Sequence, residues 1–473
     1  MNGTPLWTSA EAAEVTGGSA TGVWMASGVS IDSRTADPGD LFVAIRGPEN
    51  DGHDYVGAAL SAGAAAAVVH RRPDGIGTDA ALLLVDDTLD ALTALGRRGR
   101  DRSTARVAAV TGSAGKTGTK EALRHALAGQ GEVSASAASY NNLWGVPLSL
   151  ARMPPGSAFG AFEVGMNHAG EIAPLSRLVR PHVAVITNVE AAHIAFFPSL
   201  EAVADAKAEI FAGVEPGGAC VLNRDNMFFD RLRASAARRP DLRIVSFGLS
   251  DADAAAREVS FDEEGSDVAA EICGRRIAYR VALPGRHWVL NSLAVLAAVE
   301  ALGADAEEAA ARLRSLAPLP GRGKPHSVSC AGGTFTLIDE SYNANPASMR
   351  AAIETLGRVP PRGAGRRIAI LGPMRELGPE SAAFHEGLAA PLVESGVDTV
   401  MAAGDMRAVL DRLPAGMRGA TAETGEALAR TAAETVGPGD VVMVKGSNAS
   451  RMDLVVARLL DAVDARQAVA AGS

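Results

Sequence analysis

RVAAVTGSAGKTGTK, residues 106–120, sets an apolar run against a turn of small residues, then continues into a stretch able to form a helix. Val107 to Val110 reads as a buried parallel strand, because four apolar residues in a row leave neither face polar. Thr111, Gly112, Ser113, Ala114 and Gly115 make the turn, Lys116 and Thr117 follow, and Gly118 to Leu127 is predicted to be helical. Strand, small-residue loop, Lys-Thr and helix, in that order, is the layout of a phosphate-cradling loop. Gly112 and Gly115 let backbone N–H groups approach phosphate oxygens with no Cβ in the way. The helix N-terminus adds partial positive charge. Lys116 can reach terminal phosphates, and the Thr117 hydroxyl can hold Mg²⁺. The strict pattern wants a glycine where Val110 stands. The plain alternative is a strand-to-helix turn that happens to contain Gly-Lys-Thr; the strand before it and the helix after it favour the phosphate reading.

A chain of 473 residues suggests about three domains. Hydrophobic residues make up 47% and aromatics only 4%, so the cores must be built from Ala, Val and Leu. A net charge of −10, with no basic stripe to offset it, argues against a nucleic-acid partner. Cys220, Cys273 and Cys330 lie far apart with no metal-ligand spacing, which fits a reducing compartment. The opening MNGTPLWTSAEAAEV lacks the basic and apolar regions of a signal peptide. No apolar run approaches the ~20 residues of a membrane helix. A cytoplasmic protein with no membrane partner is expected.

Residues 1–103 read as a small α/β domain, with Ser9 capping a short helix and strands at 41–45, 65–69 and 81–85. Ser30, Asp32, Ser33 and Arg34 gather where a strand would end, and Asp51 to Asp54 makes a second polar turn. These are either turn formers and caps, or the wall of a pocket for a polar anionic ligand with Arg34 as charge partner. From 104 to 317 strand and helix alternate, implying a mostly parallel sheet with ligands beyond the C-terminal strand ends. Asn141 and Asn142 are costly to bury unless they bond something. Glu163 ends a strand predicted at 159–164, where it is either a metal carboxylate near the phosphate loop or a surface carboxylate. His193 falls on the same edge, though a lone histidine is often a satisfied loop residue. Lys207 by itself reads as a solvated helix lysine. The stretch 259–281 alternates like a side hairpin, and Asn291 is expected to start a helix running to Leu302. The Pro- and Gly-rich 318–325 marks a boundary. A third α/β domain, 318–473, carries strands predicted at 334–338, 367–371, 399–402 and 441–444, without a G-x-G-x-x-G fingerprint.

TGSAGKT at 111–117, NNLWGVPL at 141–148, EVGMNHAGEI at 163–172, TNVEAAHIAFF at 187–197 and DAKAEIF at 205–211, with HWVLN at 287–291 and Gly-Arg at 321–322, resemble the Mur ligase family. These are the ATP-dependent amide-forming enzymes of peptidoglycan precursor synthesis. The missing first glycine is the family's own habit, while Gly118 stands where many members carry Ser or Thr. DESYNANPASM, LGPMRELG and VKGSNASRM in the last domain resemble the branch that adds D-alanyl-D-alanine. The Asp-Asn-Pro-Arg/Lys box of the diaminopimelate- or lysine-adding branch is absent. Pro373 stands where the D-alanyl-D-alanine branch often has Asp.

The resemblance implies a three-domain α/β fold: a small N-terminal domain for the UDP-muramoyl peptide, a central P-loop-type parallel-sheet ATPase domain, and a Rossmann-like C-terminal domain. It implies small-molecule substrates, UDP-N-acetylmuramoyl-tripeptide and D-Ala-D-Ala, with ATP and Mg²⁺, in a monomer whose domains close. Lys116 would neutralise the triphosphate. Thr117 and Glu163 would each hold one Mg²⁺, with His193 beside the second and Lys207 carbamylated into a metal-bridging carboxylate. Residues 111–118 would cradle the phosphates, and Asn291, Arg322 and Asp339 would hold the adenine, phosphate and ribose of ATP. Ser30, Asp32, Ser33 and Arg34 would form the uridine pocket, and Asn141 and Asn142 would lie along the muramoyl peptide. Asn343, Asn345 and Lys445 would bind substrate from the last domain. The alternatives are an amino-acid-adding Mur ligase, a folylpolyglutamate synthase-like ligase, which the Asp-Ser-Arg and Asp-Gly-His pieces argue against, and a non-catalytic ATP-binding protein.

Overall fold

On the strand Arg106–Thr111, Ala108 and Val110 face one core, with Leu123, Ala126 and Leu127 of the helix Lys116–Leu127. Val107 and Ala109 face a second core, with Val146, Leu150 and Phe162. Both faces are covered, which is why the run is apolar throughout. This strand sits inside a nine-stranded sheet. It is flanked by Phe159–Glu163 on one side and Val183–Ile186 on the other, all parallel. The computed structural model describes residues 5–47 and 50–461, so the end of the expected last domain lies outside the described residues.

Each of the other two lobes has its own sheet. The main sheet of the N-terminal lobe has five strands, ordered Ser19–Thr21, Leu82–Leu84, Ala66–Val69, Asp40–Val43, Gly28–Ser30, parallel except for the first pair. The C-terminal lobe has six, ordered Lys324–Cys330, Gly333–Glu340, Val441–Lys445, Arg367–Leu371, Thr399–Ala403, Arg418–Ala422, with only the first antiparallel. The three-domain α/β expectation holds. Among the described residues no helix is long and apolar enough to cross a membrane.

Several local expectations need correction. Thr8, not Ser9, caps the first helix: its backbone is extended and its hydroxyl accepts from Glu11 N, while Ser9 is already helical. The helix expected to start at Asn291 spans Arg286–Ala301, because Gly285 at φ 112° makes the break one turn earlier. The expected side hairpin is three antiparallel strands, Ala254–Phe261, Ser266–Ile272 and Arg275–Val281, that extend the central sheet. Their alternating Val268, Ala270, Ile277 and Tyr279 face the same core as Val110, so the hairpin is not peripheral. At the Asp51 turn the cap reading needs no change: Asp51 caps the turn at Gly52–Tyr55, and buried His53 bonds its carboxylate through Nδ1 and accepts the His70 N–H through Nε2.

The N-terminal and central lobes are joined by close helix packing. A Cβ at Gly96 or Gly99 of the helix Thr88–Asp101 would come within 2.7 Å and 2.1 Å of the Pro147 and Leu150 carbonyl oxygens. Only glycine permits that approach. Trp7 Nε1 donates to the Ala151 carbonyl at 2.9 Å, and buried Arg100 donates to the carbonyls of Val179 and Arg180.

Candidate active site

The phosphate-type loop is held open by its neighbours. Gly112 has φ 150°, and a Cβ there would lie 1.9 Å from Thr187 Oγ1. Ala114 N donates to Asn188 Oδ1 at 2.8 Å, and Ser113 Oγ donates to the Glu190 carbonyl at 2.9 Å. Gly115, in the left-handed region at φ 82°, starts the helix Lys116–Leu127 with no side-chain cap. The first N–H groups of that helix are therefore left for an anion. Lys116 Nζ folds back onto the Gly112 carbonyl at 2.8 Å. Burial pushes its pKa below the ordinary lysine value, Glu163 opposes that shift, and Arg322 adds to it.

Glu163 is 1% exposed. Its two oxygens accept from Thr117 Oγ1 at 2.8 Å and from Asn141 Nδ2 at 2.7 Å. Among the described residues no group of three or more His, Cys, Asp and Glu side chains forms a ready-made cage. A hydroxyl beside one carboxylate still fits Mg²⁺, which usually takes one or two protein oxygens and completes its shell with phosphates and water. Asn141 thus meets the carboxylate, while Asn142 Oδ1 accepts from Trp144 N and Gly145 N and holds the turn before the next helix.

A cleft of about 480 Å³ opens here, between the C-terminal edge of the central sheet and the third lobe. Ser113 to Gly118 line it, together with Asn141, Asn142, Glu163, His193, Asn291 and Arg322. From the third lobe come Asn343, Asn345 and Lys445. Asn345 caps the helix Pro346–Arg358 in a reciprocal pair with Ser348, and its Nδ2 donates to the Ser113 carbonyl at 3.1 Å. Lys445 Nζ donates to Glu340 and to the Asn343 carbonyl, each at 3.0 Å. Side chains also meet across the lobes, Tyr342 with the Ser139 hydroxyl and Glu376 with His193. The Arg322 guanidinium lies 4.4 Å over the Tyr342 ring.

Other expected residues lie outside this lining. Thr111 and Gly112 sit behind the loop. Asp339 turns inward, accepting from Gly321 N at 3.0 Å and from Ser341, so it shapes the turn that carries Arg322. Lys207, on the helix Leu200–Ala208, is 2% exposed rather than solvated. Burial pushes its pKa well below the ordinary value, and the Lys116 cation adds to that. Ser30, Asp32, Ser33 and Arg34 stay on the N-terminal lobe; Arg34 pairs with Asp32 at 2.7 Å with its side chain 85% exposed. Pro373 is away from the cleft lining.

Four residues at or beside the cleft, His287, Trp288, Tyr342 and Glu376, stand inside the resembling motifs but carry no role assigned from the sequence. Trp288 explains Gly118, because a Cβ there would meet the indole at 3.0 Å. Gly118→Ser should therefore destabilise the protein by about 1 kcal/mol through overpacking. The loss should vanish in a Trp288→Phe background, as read by thermal unfolding.

Three family descriptions match the chain: Mur ligase family, catalytic domain, over residues 26–99; Mur ligase middle domain, over 110–299; and Mur ligase, glutamate ligase domain, over 326–448. The UDP-N-acetylmuramoyl-tripeptide–D-alanyl-D-alanine ligase of Rickettsia prowazekii (strain Madrid E) is 33% identical over 431 residues, spanning 90% of this chain and 94% of that protein. The crystal structure of MurF from Acinetobacter baumannii superposes with a TM-score of 0.82 at 30% identity, covering 97% of this chain and 99% of that one. The MurF ligase from Thermotoga maritima in complex with ADP gives 0.76 at 28% identity, covering 93% and 98%.

Proposed function

The chain belongs to the Mur ligase family, and from that premise we propose that it joins D-alanyl-D-alanine to UDP-N-acetylmuramoyl-tripeptide as ATP goes to ADP and phosphate. The observation that carries this is the match, over nine-tenths of the chain, to a ligase of that specificity. The convergence of Lys116, Glu163 and His193 on one inter-lobe cleft supports it. The protein acts in the cytoplasm, as a monomer.

The chemistry follows from charge. A substrate carboxylate is a poor electrophile and is repelled by the triphosphate it must attack. Its oxygen takes the γ-phosphoryl group, the bond to ADP breaks, and an acyl phosphate forms. The D-Ala-D-Ala amine then attacks the acyl carbon, phosphate leaves, and the amine gives up a proton. Lys116 and the uncapped helix N-terminus hold the phosphate charge in place. Arg322 approaches the same charge from the third lobe. Bound Mg²⁺ would supply Lewis-acid neutralisation at the phosphates, with Thr117 and Glu163 as its holders and His193 and Lys207 as the second set. Burial disfavours the ammonium of Lys207, and its neutral amine is the form that adds CO₂: a nitrogen–carbon bond forms, one proton leaves, and a carboxylate replaces the amine beside Lys116.

The direct test is ATP-dependent phosphate release with UDP-N-acetylmuramoyl-tripeptide and either D-Ala-D-Ala or a free amino acid. Release and amide formation with the dipeptide alone are expected. Turnover only with a free amino acid would place the chain in the amino-acid-adding branch. ATP binding without any amide would make it a non-catalytic nucleotide binder.

A further inference from the structure

The loop at 193–195 of the central lobe is clasped by the loop at 376–378 of the third. Glu376 and His193 are partners across 183 positions of sequence. Ala195 N donates to the Glu376 carbonyl at 3.0 Å. A Cβ on Gly378 would meet Ala195 Cα at 3.3 Å, so the two backbones touch. Ile194 packs into the third lobe's core. His193 and Glu376 both hold left-handed backbones, at φ 60° and 61°, which residues other than glycine seldom adopt. Two such conformations facing each other persist only where surrounding contacts hold them.

An ionised carboxylate can only accept a hydrogen bond. Bonded to Glu376, the His193 Nδ1 must carry the hydrogen, and Nε2 keeps its lone pair. His193 also lines the cleft. We infer that Glu376 is a positioning residue: carried by the third lobe, it sets the tautomer and ring orientation of His193, so that His193 offers Nε2 to a cation only when the two lobes meet. This rests on the ligase reading and adds a residue to it. A carboxylate behind a metal-binding histidine typically governs metal affinity or activity by 10- to 100-fold.

The test compares Glu376→Gly and Glu376→Gln with the parent full-length protein. Glycine suits the backbone at 376, so Glu376→Gly should unfold at a temperature no lower than the parent. Mn²⁺ binding in the presence of ADP, read by electron paramagnetic resonance, should weaken roughly tenfold or more. In turnover, kcat should fall by a similar factor while KM for the UDP-tripeptide stays unchanged. Glu376→Gln, whose amide oxygen can still accept from Nδ1, should fall between the two. In a His193→Ala background, Glu376→Gly should cause no further loss of Mn²⁺ affinity. Mn²⁺ affinity within twofold of the parent, an undiminished further loss in that background, or no Mn²⁺ binding by the parent would each overturn the inference. If the parent forms no amide, the ligase reading fails, and the Mn²⁺ comparison still decides the role of Glu376.

Discussion

Lys116→Ala is expected to abolish ATP-dependent phosphate release, by a factor on the order of 10³ or more. Lys116 is half-buried at the start of an uncapped helix, and among the described residues its ammonium reaches only a backbone carbonyl, Gly112 O at 2.8 Å. Desolvation holds its pKa below the ordinary lysine value. A bound triphosphate gives the ammonium a partner that the protein alone does not provide. Removing the side chain therefore removes stabilisation that grows as charge moves onto the transferred phosphoryl group. It removes little from the resting fold. The unfolding midpoint of Lys116→Ala should match or exceed that of the parent, a pattern expected where function holds a charge in an unfavourable place. Single-turnover phosphate release and thermal unfolding, measured together, check both halves. Near-normal release would remove Lys116 from the phosphate site.

Lys207→Ala should lower turnover by a factor on the order of 10², and a short carboxylic acid such as acetate should restore part of it. Lys207 lies inside the protein, 2% exposed and beside another cation, with no carboxylate partner among the described residues. A permanent ammonium is the least favourable group for such a place, and a carbamate carboxylate beside the Lys116 cation would be a favourable one, able to hold a bound metal. Truncation leaves a pocket into which a small carboxylate fits. The sign of the CO₂ dependence follows. Because burial lowers the pKa, the amine is neutral over a wider pH range and free to react. Activity of the parent should fall in CO₂-depleted buffer and recover with bicarbonate, whereas the alanine variant should respond to acetate and not to bicarbonate. Full activity of Lys207→Ala without any added acid would exclude Lys207 from the metal site.

The parts of the site that could be read in advance are those built from neighbouring residues. The strand, glycine turn and helix from Arg106 to Leu127 follow from local period and steric freedom. So does the placement of Glu163, because a parallel strand delivers its last side chain to the sheet's C-terminal edge. The helix start at Arg286 was harder to see, since Gly285 breaks the chain by its backbone conformation and the residues after it carry no cap signal. The three strands after Gly248 alternate as a hairpin does, and alternation alone does not say which sheet they join. Asp339 shows the same limit: an acidic residue at a strand end suits either a ligand or a turn, and the Gly321 and Ser341 N–H groups claim it.

What the amino-acid order alone determined is the class of protein: three α/β units, a phosphate loop in the middle one, and the ligase family those motifs resemble. These depend on contiguous residues, whose spacing dictates backbone period and loop geometry. What only the tertiary structure decided is which groups are dry and which meet across lobes. Lys207 is buried, Trp288 fills the space beside Gly118, and Glu376 reaches His193. Desolvation and long-range pairing arise from the stacking of distant elements, and no local repeat along the chain records that stacking.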